Sequence, residues 1–279
     1  MYTGKETANV YKNVATAKTQ NVWYKTLILA IFAGVFIAVA GLVATIAGTA
    51  SQGTASTLIK AAVFPIGLIL VVLTGSELFT GNCLLLAPAL TKDIKTVPLL
   101  KNLGIVYLGN IVGSTLVALI AVYSGIMSDT VVNAAIATAA YKCGTDFGEA
   151  LLRAIPCNVL VCFAVWCATA CKSSAGKVLA VYPPIFAFVA CGFEHSVANM
   201  YYLLSGLLAS AKYGIAATNL NLGNALLYSL LPSTLGNVIG GMLFVALPLW
   251  LVFFRQVTKH SASNTDADNG SKTETENAE

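Results

Sequence analysis

Apolar residues occupy this chain in runs far longer than the core of a soluble domain needs, and polar residues interrupt two of those runs at matching places. The first run, 27–49, is long enough to cross a bilayer, which takes about 20 residues. The second, 58–90, is broken at 75–82 by two glycines, a glutamate and an asparagine. Unwound backbone survives at membrane depth only where protein or a cavity satisfies it. The pattern therefore predicts a helix over 58–75, a short Ω-like loop, and a half-helix from Asn82 towards Leu90. A third span covers 99–127 and a fourth 149–171, with a polar loop, 128–148, between them. A fifth starts at Val178, breaks at 192–196 and resumes to Ala209, and a sixth covers 226–254.

The ends read differently. Residues 1–26 carry Lys5, Lys12, Lys18 and Lys25 at intervals of six or seven, among Val10, Val14, Ala17, Val22 and Trp23. That spacing suits a helix lying along the membrane surface with its lysines facing anionic lipid. The apolar run behind it exceeds the 7–15 or so residues of a secretory leader's core, so 27–49 reads as a span and not a cleaved signal. Residues 255–279 are charged and poor in apolar side chains, which predicts a disordered cytoplasmic tail.

Composition sharpens the class. The chain is 57% hydrophobic and 10% charged, with mean hydropathy +0.77, against about 25% charged in a soluble domain. It is an all-α polytopic membrane protein. Cys157, Cys162, Cys167 and Cys171 sit four or five apart on one apolar helix without a Cys-x-x-Cys pair, and read as small packing residues with no disulfide or metal role. Six spans put both termini on one side. Twelve of the basic residues fall on that side, and Lys60, Lys142, Arg153 and Lys212 on the other. The positive-inside rule makes the termini cytoplasmic.

The chain also repeats itself. Leu108-Gly-Asn-Ile-Val-Gly-Ser-Thr-Leu116 recurs as Leu235-Gly-Asn-Val-Ile-Gly-Gly-Met-Leu243, and Glu77 precedes Asn82 by the same interval as Glu194 precedes Asn199. In each half the broken segment comes second of three and the Leu-Gly-Asn helix third. An odd number of spans per half forces opposite insertion. The expected fold is two inverted three-helix repeats, aquaporin-like, with helices 2 and 5 broken.

The interruptions carry the candidate chemistry. A charged side chain at membrane depth costs about 3 kcal/mol on insertion scales, so Glu194, His195 and Asn199 together read as a site. Half-helix N-termini beside them favour an anion. Phe64, Leu68, Leu78, Phe79 and Phe188 fall at the same depth and could form apolar constrictions. His195 is a donor able to stabilise an anion and to hand it a proton, its own protonation set by two opposed effects, desolvation and the adjoining carboxylate.

These strings carry a resemblance. Gly75-Ser-Glu-Leu-Phe-Thr-Gly-Asn82, Gly192-Phe-Glu-His-Ser-Val-Ala-Asn-Met200 and Leu235-Gly-Asn-Val-Ile-Gly-Gly241 are similar to signatures of the formate/nitrite transporter family, from about Trp23 to Phe254. The resemblance implies a homopentamer in the plasma membrane, each protomer conducting a small monovalent anion. It also implies that Leu78, Phe79 and Thr80 form a mobile Ω loop with Leu68 opposite, and that Phe64 and Phe188 line an outer slit. His195, Asn199 and Thr80 would make the central polar station, Lys142 the vestibule lysine, and Glu194 the buried carboxylate of the motif. Formate-type members tend to show Gly-Ala-Asp-Leu-Phe-Thr-Ser; Ser76, Glu77 and Gly81 here look closer to the nitrite and hydrosulfide branches. A neutral-solute pore of aquaporin type also suits broken inverted helices, but Asn82 and Asn199 lack the following proline of Asn-Pro-Ala boxes. A membrane-embedded enzyme would need a nucleophile or a ligand-spaced cluster, which is missing. No cofactor, metal or nucleic-acid partner is expected.

Overall fold

The computed structural model describes residues 1–92 and 94–255, so the expected tail lies outside the described residues except for Arg255. Every regular element among them is helical. Five helical segments are long and apolar enough to cross a membrane: α2 (Trp23–Gly48), the jointed pair α3–α4 (Gly53–Val63 and Ile66–Thr74), α7 (Thr96–Tyr123), α9 (Phe147–Ala170) and the last run, Leu222–Phe254. The fifth span, expected to break at 192–196, is two pieces, α10 (Ser174–Ala190) and α11 (Ser196–Tyr213). With 17 residues, α10 is about 25 Å long and falls short of a 30 Å hydrocarbon core by itself.

Both breaks use the same device. The helix before each ends at a left-handed glycine, Gly75 at φ 69° and Gly192 at φ 68°, a conformation that side chains other than glycine's resist. The backbone then runs extended into the next helix, with Leu78 preceding α5 (Phe79–Asn82) and His195 preceding α11. The first restart comes earlier than the sequence suggested: Phe79 and Thr80 are already helical, and the loop shrinks to 75–78. A 3₁₀ turn, Cys83–Leu85, and α6 (Leu86–Ala89) complete that half-helix.

Small residues let the spans touch. A Cβ on Gly113 would overlap the carbonyl oxygen of Ile31 on α2, and one on Gly240 that of Ile155 on α9. Gly109 and Gly236 meet Ala30 and Ala154 in the same way. The two Leu-Gly-Asn helices thus pack on the first helix of their own half by one small-xxx-small face each. The last run holds three π segments, Ala225–Leu230, Met242–Ala246 and Trp250–Phe254.

Two expectations fail here. The 128–148 stretch is not a loop: α8 (Asp129–Gly144) spans most of it, burying Val131, Val132, Ala135, Ile136 and Ala139. Its polar ends, Asp129 and Asp146, hid an alanine-rich middle of high helix propensity. The N-terminal helix, α1 (Gly4–Gln20), packs against the bundle, and its Lys18, expected to face lipid, does not. Tyr11 and Ala15 are buried, Tyr11 packs at a tilt against Trp166 of α9, and Lys18 points into the bundle. Hydrophobic spacing alone could not tell lipid from the underside of the protein. Of the α9 cysteines, Cys157 and Cys162 are packed as expected, whereas Cys167 is exposed.

Candidate functional site

The start of α5 and the start of α11 are held by one repeated arrangement. Asn110, from the first Leu-Gly-Asn string, accepts the backbone N–H of Phe79 at 3.0 Å and donates to the carbonyls of Ala30 and Glu77 at 2.7 and 3.0 Å. Asn237, from the second, accepts the N–H of Ser196 at 2.8 Å and donates to the carbonyls of Ala154 and Glu194 at 2.8 and 2.9 Å. Each side chain satisfies amides and carbonyls that a broken helix leaves without partners.

A charged station flanks each restart. Lys18 Nζ donates to Glu77 Oε2 at 3.0 Å and to Asn82 Oδ1 at 2.9 Å. Lys142 Nζ donates to Glu194 Oε2 at 2.6 Å, and Asn199 Nδ2 donates to the same oxygen at 2.7 Å. Both carboxylates are buried, Glu77 at 1% exposure and Glu194 at 5%, where an unpaired charge would be strongly disfavoured.

Between the stations lies His195, 3% exposed. Its Nδ1 accepts the N–H of Ala198 at 3.1 Å, capping α11. The neutral ring therefore carries its proton on Nε2, which donates to Thr80 Oγ1 at 2.9 Å. Phe188 stacks on the ring with centroids 5.8 Å apart and meets Phe64 edge-on at 5.7 Å.

Three cavities line up through these residues. One of about 470 Å³ is bordered by Lys142, Glu194, Asn199, Phe64, Phe188 and His195. A void of about 10 Å³ follows, walled by Phe64, Phe188 and His195 on one side and Leu68 and Leu78 on the other. Beyond it, a cavity of about 220 Å³ is bordered by Leu68, Leu78, Asn82 and Lys18. The central void is about the size of one water molecule, so this conformation is closed to a hydrated ion.

The structure thus brings together Phe64, Leu68, Leu78, Phe188, His195, Thr80, Glu194, Asn199 and Lys142. Phe79 is the exception. It packs edge-on against Tyr107 with centroids 4.8 Å apart and borders none of the three cavities, whereas Thr80, which borders none either, joins the site through its hydrogen bond to His195. Because α5 begins at Phe79, its side chain turns towards α7, away from the slit. Sequence reasoning missed Lys18, Asn110 and Asn237. The asparagines stood within the repeated string and were read as marks of repetition, while Lys18 is one of four similar lysines.

Known proteins resemble this chain in sequence and in fold. The sequence profile of the family described as formate/nitrite transporter matches residues 5–251. A probable formate transporter of Methanothermobacter thermautotrophicus is 37% identical over 90% of this chain and 97% of its own. The formate channel FocA of Haemophilus influenzae is 33% identical over 91% and 94%. Among solved structures, an FNT family ion channel superposes with TM-score 0.78 at 28% identity, over 89% of this chain and 97% of its own. A structure titled pentameric formate channel with formate bound superposes with TM-score 0.71 at 32% identity, over 82% and 97%.

Proposed function

Because the chain belongs to the formate/nitrite transporter family, we propose that it is a membrane channel for small monovalent weak-acid anions, namely formate, nitrite or hydrosulfide. The observation that carries this reading is buried His195 at the waist between the two cavities, hydrogen-bonded to Thr80. An anion leaving water for an apolar slit loses its hydration, at a cost of many kcal/mol unless donors replace it. Nε2–H of His195, once turned from Thr80 Oγ1 to the anion, is such a donor, beside the restart of α11 at Ser196.

In this reading cations attract the anion from both cavities, Lys142, Lys60 and Arg153 from one and Lys18 and Lys177 from the other. Passage needs the 75–78 stretch to shift, since Leu78 closes the slit against Leu68. At the waist Nε2–H can hydrogen-bond the anion, and a proton taken up from solvent, directly or by way of His195 first charged to the imidazolium and left neutral after the transfer, lets the molecule cross the Phe64–Phe188 contact neutral. The chain is read as a conduit and not an enzyme. It would assemble as a homopentamer in the plasma membrane, six segments crossing per protomer as two inverted repeats, with both termini cytoplasmic. Formate, the anion named for its relatives, is the first candidate to test.

Uptake of formate, nitrite and hydrosulfide into proteoliposomes tests the proposal. The unaltered chain should carry at least one of them, and His195→Phe should abolish that flux while leaving water flux unchanged. Equal anion flux in the two proteins would refute it.

A further inference from the structure

Both α2 and α7 start on a cavity that lies off the permeation path, and from its chemistry we infer that it holds the phosphate of an anionic phospholipid headgroup. Trp23 and Thr26 of α2, Val97, Pro98 and Lys101 of α7, and Asn21 in the joint after α1 border this space of about 310 Å³. It touches Lys18 as well, but the ammonium of Lys18 is engaged by Glu77 and Asn82. Neither the waist phenylalanines nor His195 borders it.

Three features of the cavity call for an anion. The two helix starts are not neutralised by the chain: Val22 before α2 and Lys95 before α7 give no side-chain cap, and neither first turn contains an acidic residue. Each start therefore presents amide N–H groups and the equivalent of about half a positive charge, an arrangement that suits phosphate oxygens. Lys101, in the second turn of α7, adds a full charge; it is exposed and has no ion pair among the described residues. Thr26 is the third. It is 3% exposed, its amide is bonded to the carbonyl of Val22, and its hydroxyl makes no hydrogen bond among the described residues. Unlike the hydroxyls of Ser114 and Ser196 it is not sealed off, so it opens on this cavity. A buried hydroxyl beside a cavity needs an acceptor there, and a phosphate oxygen is one.

The rim tells what carries the phosphate. Trp23 is 58% exposed, and Tyr24, Ile28, Val97 and Leu100 are exposed around it. They belong to the first turns of two helices long and apolar enough to cross a membrane. Tryptophan and tyrosine collect at that level, and basic pockets between membrane helices take anionic headgroups. Free phosphate would gain nothing from such a rim, whereas acyl chains can follow Ile28 along α2.

The test measures binding and not transport, so it does not depend on whether the chain carries formate. The purified full chain in an uncharged detergent is titrated by calorimetry with dihexanoylphosphatidylglycerol, dihexanoylphosphatidylcholine and inorganic phosphate. The anionic lipid should bind saturably and several-fold more tightly than either of the others. Lys101→Gln and Thr26→Val should each weaken its binding several-fold. Lys5→Gln, an equal change of charge at an exposed position away from the cavity, should not. Equal affinity for the two lipids, or no greater loss in Lys101→Gln than in Lys5→Gln, overturns the inference. Inorganic phosphate binding as tightly as the anionic lipid overturns the lipid assignment, the cavity then being a site for soluble phosphate.

Discussion

Asn237 stands to Ser196 as Asn110 stands to Phe79: each accepts the first amide of a helix that restarts inside the bundle. Each also donates to the carbonyl of the glutamate just upstream, Glu194 or Glu77. Truncating either side chain strands buried amide and carbonyl groups at about 1–3 kcal/mol apiece. Asn110→Ala and Asn237→Ala should therefore both lower the thermal unfolding midpoint in detergent and abolish anion flux. An unchanged midpoint in either variant would show that the restart does not depend on its asparagine.

The glycines of α7 give a sharper contrast. A Cβ on Gly113 overlaps the carbonyl oxygen of Ile31, while one on Gly104 meets nothing within 4 Å. Gly113→Ala should prevent recovery of folded protein on size-exclusion chromatography. Gly104→Ala should be neutral or stabilise by up to about 1 kcal/mol, the gain in helix propensity from glycine to alanine.

Lys142→Met leaves the Glu194 carboxylate buried without its cation. Breaking such a pair from one side costs about 3–5 kcal/mol in a dry site, and less here because Lys142 borders an open cavity. The double variant Lys142→Met/Glu194→Gln should recover much of the lost thermal stability. If the double variant is no more stable than the single one, the pair is not what Lys142 contributes.

Phe64 and Phe79 should separate in function. Phe64 closes the slit against Phe188, and Phe79 packs on Tyr107. Phe64→Ala should raise flux in a stopped-flow assay. Phe79→Leu should change stability by at most a few kcal/mol and leave permeation near its original level.

Acid should loosen the start of α1. Thr3 and Glu6 form a reciprocal cap, and the hydrogen bond from the Thr3 amide, joined by that from its hydroxyl, holds the Glu6 carboxyl below its ordinary range. A lowered value in the folded state means that the stabilisation is present above the ordinary carboxylate range and is lost as pH falls through the lowered value. Protection of the amides of residues 4–7, taken relative to the intrinsic exchange rate at each pH, should fall on acidification, and in Glu6→Gln that fall should disappear.

Much of the site was legible because membrane depth makes polar residues conspicuous. Glu194, His195 and Asn199 stood out from their apolar surroundings, and the repeated intervals of Glu77–Asn82 and Glu194–Asn199 correspond to two similar charged stations. What escaped the sequence was direction. Phe79 and Leu78 are neighbours of similar character, yet one faces Tyr107 and the other the slit, because the helix begins three residues before Asn82, where the polar pattern placed its start. Likewise α8 was hidden by its polar ends, although its alanines form a buried face against α11, where a Cβ on Gly206 would overlap Ala139. Lys18 could be singled out from Lys5 and Lys12 only by knowing that Glu77 lay opposite.

The seat of α1 has a consequence for how the protein is made. Lys18 closes on Glu77, Tyr2 donates its amide to the carbonyl of Ala170, and a Cβ on Gly4 would overlap the Phe253 ring. Each of those partners leaves the ribosome later than α1, the last by almost the whole chain. A helix synthesised ahead of every membrane segment must therefore wait at the bilayer surface until the final one is in place, so that early synthesis goes with late docking.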